Sequence, residues 1–205
     1  MTEIKCCVDS CSNNKLDEKY WNDQYVANTT GWDLGEVSPP IKAYIDTITD
    51  KNSAILIPGC GNSYEAEYLL AQGFTNITVI DIAPLLVQSL QEKFKKSPNI
   101  TVVLGDFFDY SGCFDYIIEQ TFFCALLPAL REKYRDKMNE LLNKSGVLAG
   151  LFFNRTFEVS PPFGGSKEEY EVLFAEKFTI LKMEPCLTSI QPRMNSELWC
   201  EMTKK

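Results

Sequence analysis

The sequence predicts an α/β domain built on a mostly parallel sheet with helices on both faces. Three observations carry that prediction. From residue 54 onward, short apolar runs alternate with helical patterns; glycine- or acid-bearing turns follow the first three runs; and two strands joined by a loop come last. The final pair predicts an antiparallel hairpin at one edge, which a plain dinucleotide-binding fold lacks.

Each element follows in order. Leu16 to Asn28 places Leu16, Tyr20, Trp21 and Tyr25 at helical spacing. Thr29 to Pro40 breaks the pattern. Pro40 opens a second helix, where a missing N–H costs nothing, with Ile41, Tyr44, Ile45 and Ile48 as its stripe. Ala54–Ile57 reads as a buried strand, Asn62–Gln72 as a helix ended by Gly73, Thr78–Ile80 as a strand and Pro84–Lys96 as a helix. Thr101–Leu104 and Tyr116–Ile118 are the next strands, and Pro128–Asn143 is a helix with Leu130, Tyr134, Met138, Leu141 and Leu142 on one side. Gly146 is expected to turn the chain into strand Val147–Phe153. Ser166 and Glu169 form a capping box for a helix to about Glu176, and Phe178–Met183 and Leu198–Met202 are the last two strands.

Composition limits the chemistry. The chain has 205 residues, which predicts one domain of residues 15–205 behind a loosely ordered tail of residues 1–14. It contains no histidine, which excludes a Ser-His-Asp triad, a Cys-His dyad and an HExxH zinc site. A net charge of −8 argues against nucleic-acid or anionic-membrane partners. The short basic clusters Lys93, Lys95, Lys96 and Lys204, Lys205 read as solvated surface. No secretion signal or spanning segment is evident, so a cytoplasmic protein with reduced thiols is expected. Cys6, Cys7 and Cys11 in the tail read as exposed thiols, a soft-metal or redox role being the alternative, and no metal site is expected. Oligomeric state is left open, with a monomer favoured.

Ligands of open α/β sheets bind beyond the carboxyl ends of the strands. Pro58-Gly59-Cys60-Gly61-Asn62-Ser63 follows the first strand, and Gly59 and Gly61 allow a tight turn and close approach of a ligand. Asp81 follows the second strand about twenty residues later, where a carboxylate suits a ribose diol. Gly105-Asp106-Phe107-Phe108 follows the third, offering Asp106 to an exocyclic amine and Phe107 as a ring face. Glu119, Gln120 and Thr121 follow the fourth. Tyr64 stands where a dinucleotide fingerprint would carry its third glycine, so the set fits S-adenosylmethionine better than NAD. A plain glycine turn and two helix-capping aspartates are the alternative.

These residues, with others in order, resemble the thiopurine S-methyltransferase family of class I S-adenosylmethionine-dependent methyltransferases, and within it the halide/thiocyanate/thiol branch. The resemblance covers roughly residues 17 to 203. It rests on Tyr20-Trp21 with Tyr25, Thr30-Gly31-Trp32-Asp33-Leu34-Gly35, Ser38-Pro39-Pro40, Pro58-Gly59-Cys60-Gly61, Asp81, Phe122-Phe123-Cys124-Ala125 with Pro128, and Pro161-Pro162-Phe163. It implies a Rossmann-like seven-stranded sandwich with residues 15–50 as a helical lid. It implies a cofactor, S-adenosyl-L-methionine, leaving as S-adenosyl-L-homocysteine, held by Trp21, Tyr25, Trp32, Gly59, Gly61, Asp81, Asp106, Phe107 and Gln120. Tyr25 replaces a common Trp, and Gln120 stands where that branch usually has Tyr. The substrate pocket it implies contains Gln120, Phe122, Phe123, Arg131 and Phe163, with no certain catalytic residue.

The residues themselves agree with such chemistry. A sulfonium is attracted to aromatic faces by ~0.5–2 kcal/mol, although Trp21 and Trp32 also suit plain packing of the N-terminal helices. Arg131 is either at the substrate mouth or a surface charge. Arg155 and Pro161 to Gly165 form a covering loop, and Cys60 and Cys124 sit near the pocket without a covalent role. A soft nucleophile such as a thiolate, thiocyanate or halide needs no strong protein base. Aromatic or thiopurine-type thiols are the alternative acceptors. An NAD-dependent oxidoreductase and a non-catalytic cofactor-binding protein are the competing classes.

Overall fold

The computed structural model describes residues 16–205; the expected tail, with Cys6, Cys7 and Cys11, lies outside the described residues. Seven strands form one sheet in the order β3-β2-β1-β4-β5-β7-β6. These are β1 (Ile55–Pro58), β2 (Ile77–Asp81), β3 (Ile100–Leu104), β4 (Phe114–Gln120), β5 (Leu142–Phe153), β6 (Phe178–Pro185) and β7 (Glu197–Lys204). The first five pair in parallel, and β7 runs antiparallel to both β5 and β6. The expected edge hairpin is present, with β7 on its inner side.

Strand periodicity divides the core in two. Ile55 and Ile57 face one side of β1, and Leu56 faces the other. The first side packs under α2 (Pro39–Ile45), α3 (Tyr64–Ala71) and α4 (Pro84–Phe94), through Ile41, Ile45, Leu69, Leu86, Leu90 and Phe94. The second packs under α5 (Arg131–Leu141) and α6 (Lys167–Ala175), through Tyr134, Met138, Tyr170 and Phe174. Strands buried on both faces explain the unbroken apolar runs that marked them in the sequence. No helix among the described residues is long and apolar enough to cross a membrane.

Helix α1 (Glu18–Ala27) buries no residue completely. Asp17 caps it by accepting from the Tyr20 amide at 3.1 Å, and Asn28, left-handed at φ 54°, ends it. It packs along α4, where Asn22 Oδ1 accepts from the Leu85 amide at 2.8 Å. The capping box of α6 is complete.

Two expectations are corrected. Gly146 makes no turn; it lies inside β5, which begins at Leu142. A Cβ there would sit 2.9 Å from the Phe114 carbonyl, beside a register shift between Phe114 and Tyr116. The glycine therefore marks a close backbone approach at an irregularity, a role strands give to glycine. The helix expected from Pro128 begins as a single 3-10 turn, Pro128–Leu130, before α5.

Candidate active site

The sheet order reverses between β1 and β4, and a cleft opens beyond the tips of those strands. Its volume is about 780 Å³. It runs from the tips of β3, β2 and β1, past β4, to β5 and the start of β7.

The wall at β1 is the turn Gly59–Ser63. Gly59 and Gly61 have φ of +56° and +50°, left-handed values that disfavour side chains. Their empty sides differ. A Cβ on Gly61 would meet only Tyr25 Oη, at 3.8 Å, within the cleft. A Cβ on Gly59 would lie 2.7 Å from Cγ of Phe122. Gly59 thus makes room for a protein ring from the β4 tip, where the sequence suggested room for a ligand. Gly105 lines the cleft too, and a Cβ there would project into open space.

Asp81 ends β2 and is 8% exposed. One carboxylate oxygen accepts from the Gly61 amide at 3.3 Å and the other from the Ala83 amide at 3.0 Å. Burial nevertheless pushes its carboxyl above the usual range, against the pull of those amides. Asp106 also lines the cleft while one oxygen accepts from the Phe108 amide at 2.8 Å. Both aspartates therefore cap backbone and face the cavity, so the capping and binding readings coexist.

The side of the cleft formed by the N-terminal segment is aromatic. Trp32 meets Trp21 and Tyr25 edge-on, with ring centroids 5.6 and 5.9 Å apart, and all three line the cleft. Trp21 and Tyr25 also pack on the core under α2–α4. Burial and the nearby Asp81 charge hold the Tyr25 phenol above its ordinary pKa. Asp33 ties this segment to the β1 turn: it accepts from the Asn62 amide side chain and from Tyr64 Oη at 3.4 Å. Tyr64, which broke the dinucleotide pattern, is thereby a partner of the segment that carries Trp32 and Asp33. From the opposite end, Arg193 Nη2 donates to the Trp32 carbonyl at 2.8 Å.

Between the two ends stands the β4 tip. Gln120 lines the cleft, and its buried Oε1 has no partner among the described residues. Thr121 turns the chain at φ 61°, an uncommon value for a β-branched residue. Glu119 fixes this turn. It is 0% exposed, and its Oε1 accepts from the amides of Phe122 at 2.7 Å and Phe123 at 2.8 Å. Burial pushes its carboxyl up to about 8. Gly150, paired with it on β5, is required there, since a Cβ would come 3.0 Å from that of Glu119.

The expected pocket residues separate. Gln120 and Phe122 line the cleft with all the expected cofactor residues. Phe123, Arg131 and Phe163 do not. Phe123 is buried at 1% exposure, stacked on Phe152 at 4.7 Å, because the turn held by Glu119 points it into the core. Arg131 lies over the rings of Phe123 and Tyr170 and donates Nη2 to the Gly164 carbonyl at 2.6 Å. It braces the loop after β5 from behind. Phe163 contributes its amide, which donates to the Cys124 carbonyl at 2.6 Å, while its neighbours Pro161 and Pro162 supply the wall. Cys60 and Cys124 line the cleft, and burial pushes both thiols up, away from thiolate.

Sequence reasoning gave no role to Glu119, Arg193 or Asp33. Glu119 carries the same signal as Asp81, an acid at a strand's carboxyl end. Arg193 sits in an irregular connection with no pattern to mark it.

The fold is that of the Rossmann-like class I methyltransferases. Among solved structures, an enzyme of echinomycin biosynthesis that converts a disulfide into a thioacetal superposes with a TM-score of 0.74 at 17% identity, covering 92% of this chain and 91% of that one. The 1,6-didemethyltoxoflavin-N1-methyltransferase of Burkholderia thailandensis, with S-adenosylhomocysteine bound, gives 0.72 at 16% identity over 92% and 86% of the chains. These likenesses show the fold. The family model for thiopurine S-methyltransferase matches residues 16–199. The chain is 31% identical over 184 residues to a probable thiol methyltransferase 2 of Arabidopsis thaliana, covering 86% of this chain and 81% of that protein. It is 26% identical over 191 residues to a thiopurine S-methyltransferase of Pseudomonas fluorescens, covering 82% and 87%. The chain belongs to the thiopurine S-methyltransferase family, and its cofactor is S-adenosyl-L-methionine.

Proposed function

We propose that this chain methylates a small soft nucleophile, a thiol or sulfide, thiocyanate or a halide, and does so in the cytosol. One observation carries the reading: among the described residues, the middle and far end of the cleft hold no group suited to act as base. The chain has no histidine; Glu119 turns its Oε1 to backbone amides; the Cys60 and Cys124 thiols are held protonated by burial. An acceptor must therefore arrive as a nucleophile, which soft anions do.

The residues present fit the cofactor. Asp81 suits a ribose diol and Asp106 with Phe107 an adenine; Gly61 and Gly105 leave free space beside them. Trp21, Tyr25 and Trp32 offer faces to a sulfonium. When bound, S-adenosylmethionine supplies a methyl group already activated for displacement. The chain then has to align acceptor and methyl and exclude water, worth several kcal/mol of barrier. In this reading residues 15–50 are the lid, Gln120 and Phe122 stand between donor and acceptor, and residues 15–205 work as one domain.

An aromatic or thiopurine-type thiol is the second reading, favoured by a cleft in the upper part of the ~300–1,000 Å³ range of ligand pockets. Calorimetry with S-adenosylhomocysteine followed by methylation assays with hydrosulfide, thiocyanate, iodide, thiophenol and a mercaptopurine tests both. Cofactor binding without turnover of any acceptor would overturn the proposal, as would tighter binding of NAD(H).

A further inference from the structure

The far end of the cleft carries a second recognition element. After β5 the chain presents Arg155 and Phe157, which line the cavity with Phe153 and Arg193. The Phe153 and Phe157 rings meet edge-on at 4.9 Å. The Arg155 guanidinium lies over Phe157 at 4.7 Å, and that of Arg193 over Phe153 at 5.7 Å. A pair of rings thus carries a cation on each member. Among the described residues these are the only basic side chains lining the cleft, whose acidic lining includes Asp33, Glu65, Asp81 and Asp106.

The two cations are not equivalent. Arg193 is matched by Glu197 at 3.5 Å and occupied by the Trp32 carbonyl. Arg155 spends only Nε, which donates to the Thr156 carbonyl at 3.3 Å. Among the described residues no carboxylate pairs with it, and its two terminal amino groups remain an open fork. Its backbone is anchored, for the Gly165 amide donates to the Arg155 carbonyl at 3.0 Å in an antiparallel bridge. A guanidinium fork without a counter-ion, on fixed backbone and over an aromatic ring, suits a planar carboxylate held by two hydrogen bonds.

Resting on the thiol-methyltransferase reading above, we propose that the acceptor is an organic thiol bearing a carboxylate, which Arg155 holds while the sulfur faces Gln120. Gln120 is in register with Leu151 of neighbouring β5, and Arg155 follows four residues further along the chain, so the two residues stand at separate places along one cleft. The apolar walls Phe153, Phe157 and Pro162 suit a rigid apolar spacer, such as an aromatic ring, between the acceptor's sulfur and its carboxylate. A monatomic halide would use neither the fork nor the space. The thiol proton leaves to solvent before transfer. The thiolate sulfur then forms its bond to the methyl carbon as the sulfonium–methyl bond breaks, giving a thioether and S-adenosylhomocysteine with no redox change.

The test compares 4-mercaptobenzoate with thiophenol, two readily ionised aromatic thiols that differ in the carboxylate. Their kcat/KM values are measured with the full chain as wild type, Arg155→Gln and Arg155→Lys. Their binding to the S-adenosylhomocysteine complex, which cannot turn over, is measured by calorimetry. The carboxylate should raise kcat/KM and affinity tenfold or more in wild type, by a factor that shrinks at high salt. In Arg155→Gln the advantage should fall within about threefold, and Arg155→Lys should keep part of it. Equal handling of the two thiols by wild type, or an undiminished advantage in Arg155→Gln, overturns the proposal. If neither thiol is methylated the thiol-methyltransferase reading fails, and calorimetry still judges the fork: 4-mercaptobenzoate bound no more tightly than thiophenol overturns it.

Discussion

The guanidinium of Arg193 holds the main-chain carbonyl of Trp32 at 2.8 Å, joining residues 161 positions apart in the chain. It links the β6–β7 connection to the segment that carries Trp32 and, in the proposed reading, covers the cofactor. Removing it in Arg193→Ala should loosen that cover and leave buried Glu197 without its partner. A charged hydrogen bond of roughly 1.5–3 kcal/mol corresponds to about a tenfold or greater rise in the Kd for S-adenosylhomocysteine. An unchanged Kd by calorimetry would show that Trp32 is held without it.

Asp81→Ala should weaken cofactor binding by more than about tenfold, through the same class of charged hydrogen bond. It also frees the Gly61 and Ala83 amides, so some loss of Tm is expected. Asp81→Asn retains an acceptor for one amide and should restore Tm more than affinity. Affinity left intact in both variants would confine Asp81 to its capping role.

Trp32→Ala should raise the cofactor KM more than it lowers stability, because Trp32 packs edge-on against two half-buried rings at the cleft. Thermal melts and cofactor titrations separate the outcomes. A variant that fails to fold would make Trp32 a packing residue.

Glu119 gives a pH dependence with a defined sign. Its carboxyl titrates near the ordinary 4.5 in the unfolded chain and is pushed up to about 8 by burial in the folded one. Between those values the folded chain keeps a proton that the unfolded chain has lost. Stability should therefore fall as pH rises across that window, at up to ~1.4 kcal/mol per pH unit, and level off above it. Glu119→Gln keeps an oxygen for the Phe122 and Phe123 amides but cannot ionise, so its decline should be shallower. Melting curves from about pH 5 to pH 9 that run parallel for the two proteins would remove the buried acid from the account.

Much of the architecture was written in local pattern. The run Ile55-Leu56-Ile57 and the Ser166–Glu169 box needed only their own side chains to declare strand and helix start. Asp81 and Asp106 were legible as cleft residues because strand ends in this class of sheet border the crevice where ligands bind. What escaped depended on partners distant in sequence. Gly146 looked like a turn because the Phe114 carbonyl it must clear lies in another strand. Arg131 and Arg155 could not be told apart by type; one braces a loop from behind and the other opens into the cleft, a distinction made by the path of residues 155 to 165.

The placement of β7 inside the sheet bears on how the protein is made. Among the described residues, β6 pairs with β7 alone. On the ribosome, the stretch Phe178–Pro185 must wait, unpaired, until translation delivers Glu197–Lys204 to slide in beside β5. The nascent enzyme therefore passes through a stage in which β5 is left uncovered and the cleft lacks only Pro192, Arg193 and Ser196 of its wall, and late arrival of β7 covers β5 and brings those three residues into place.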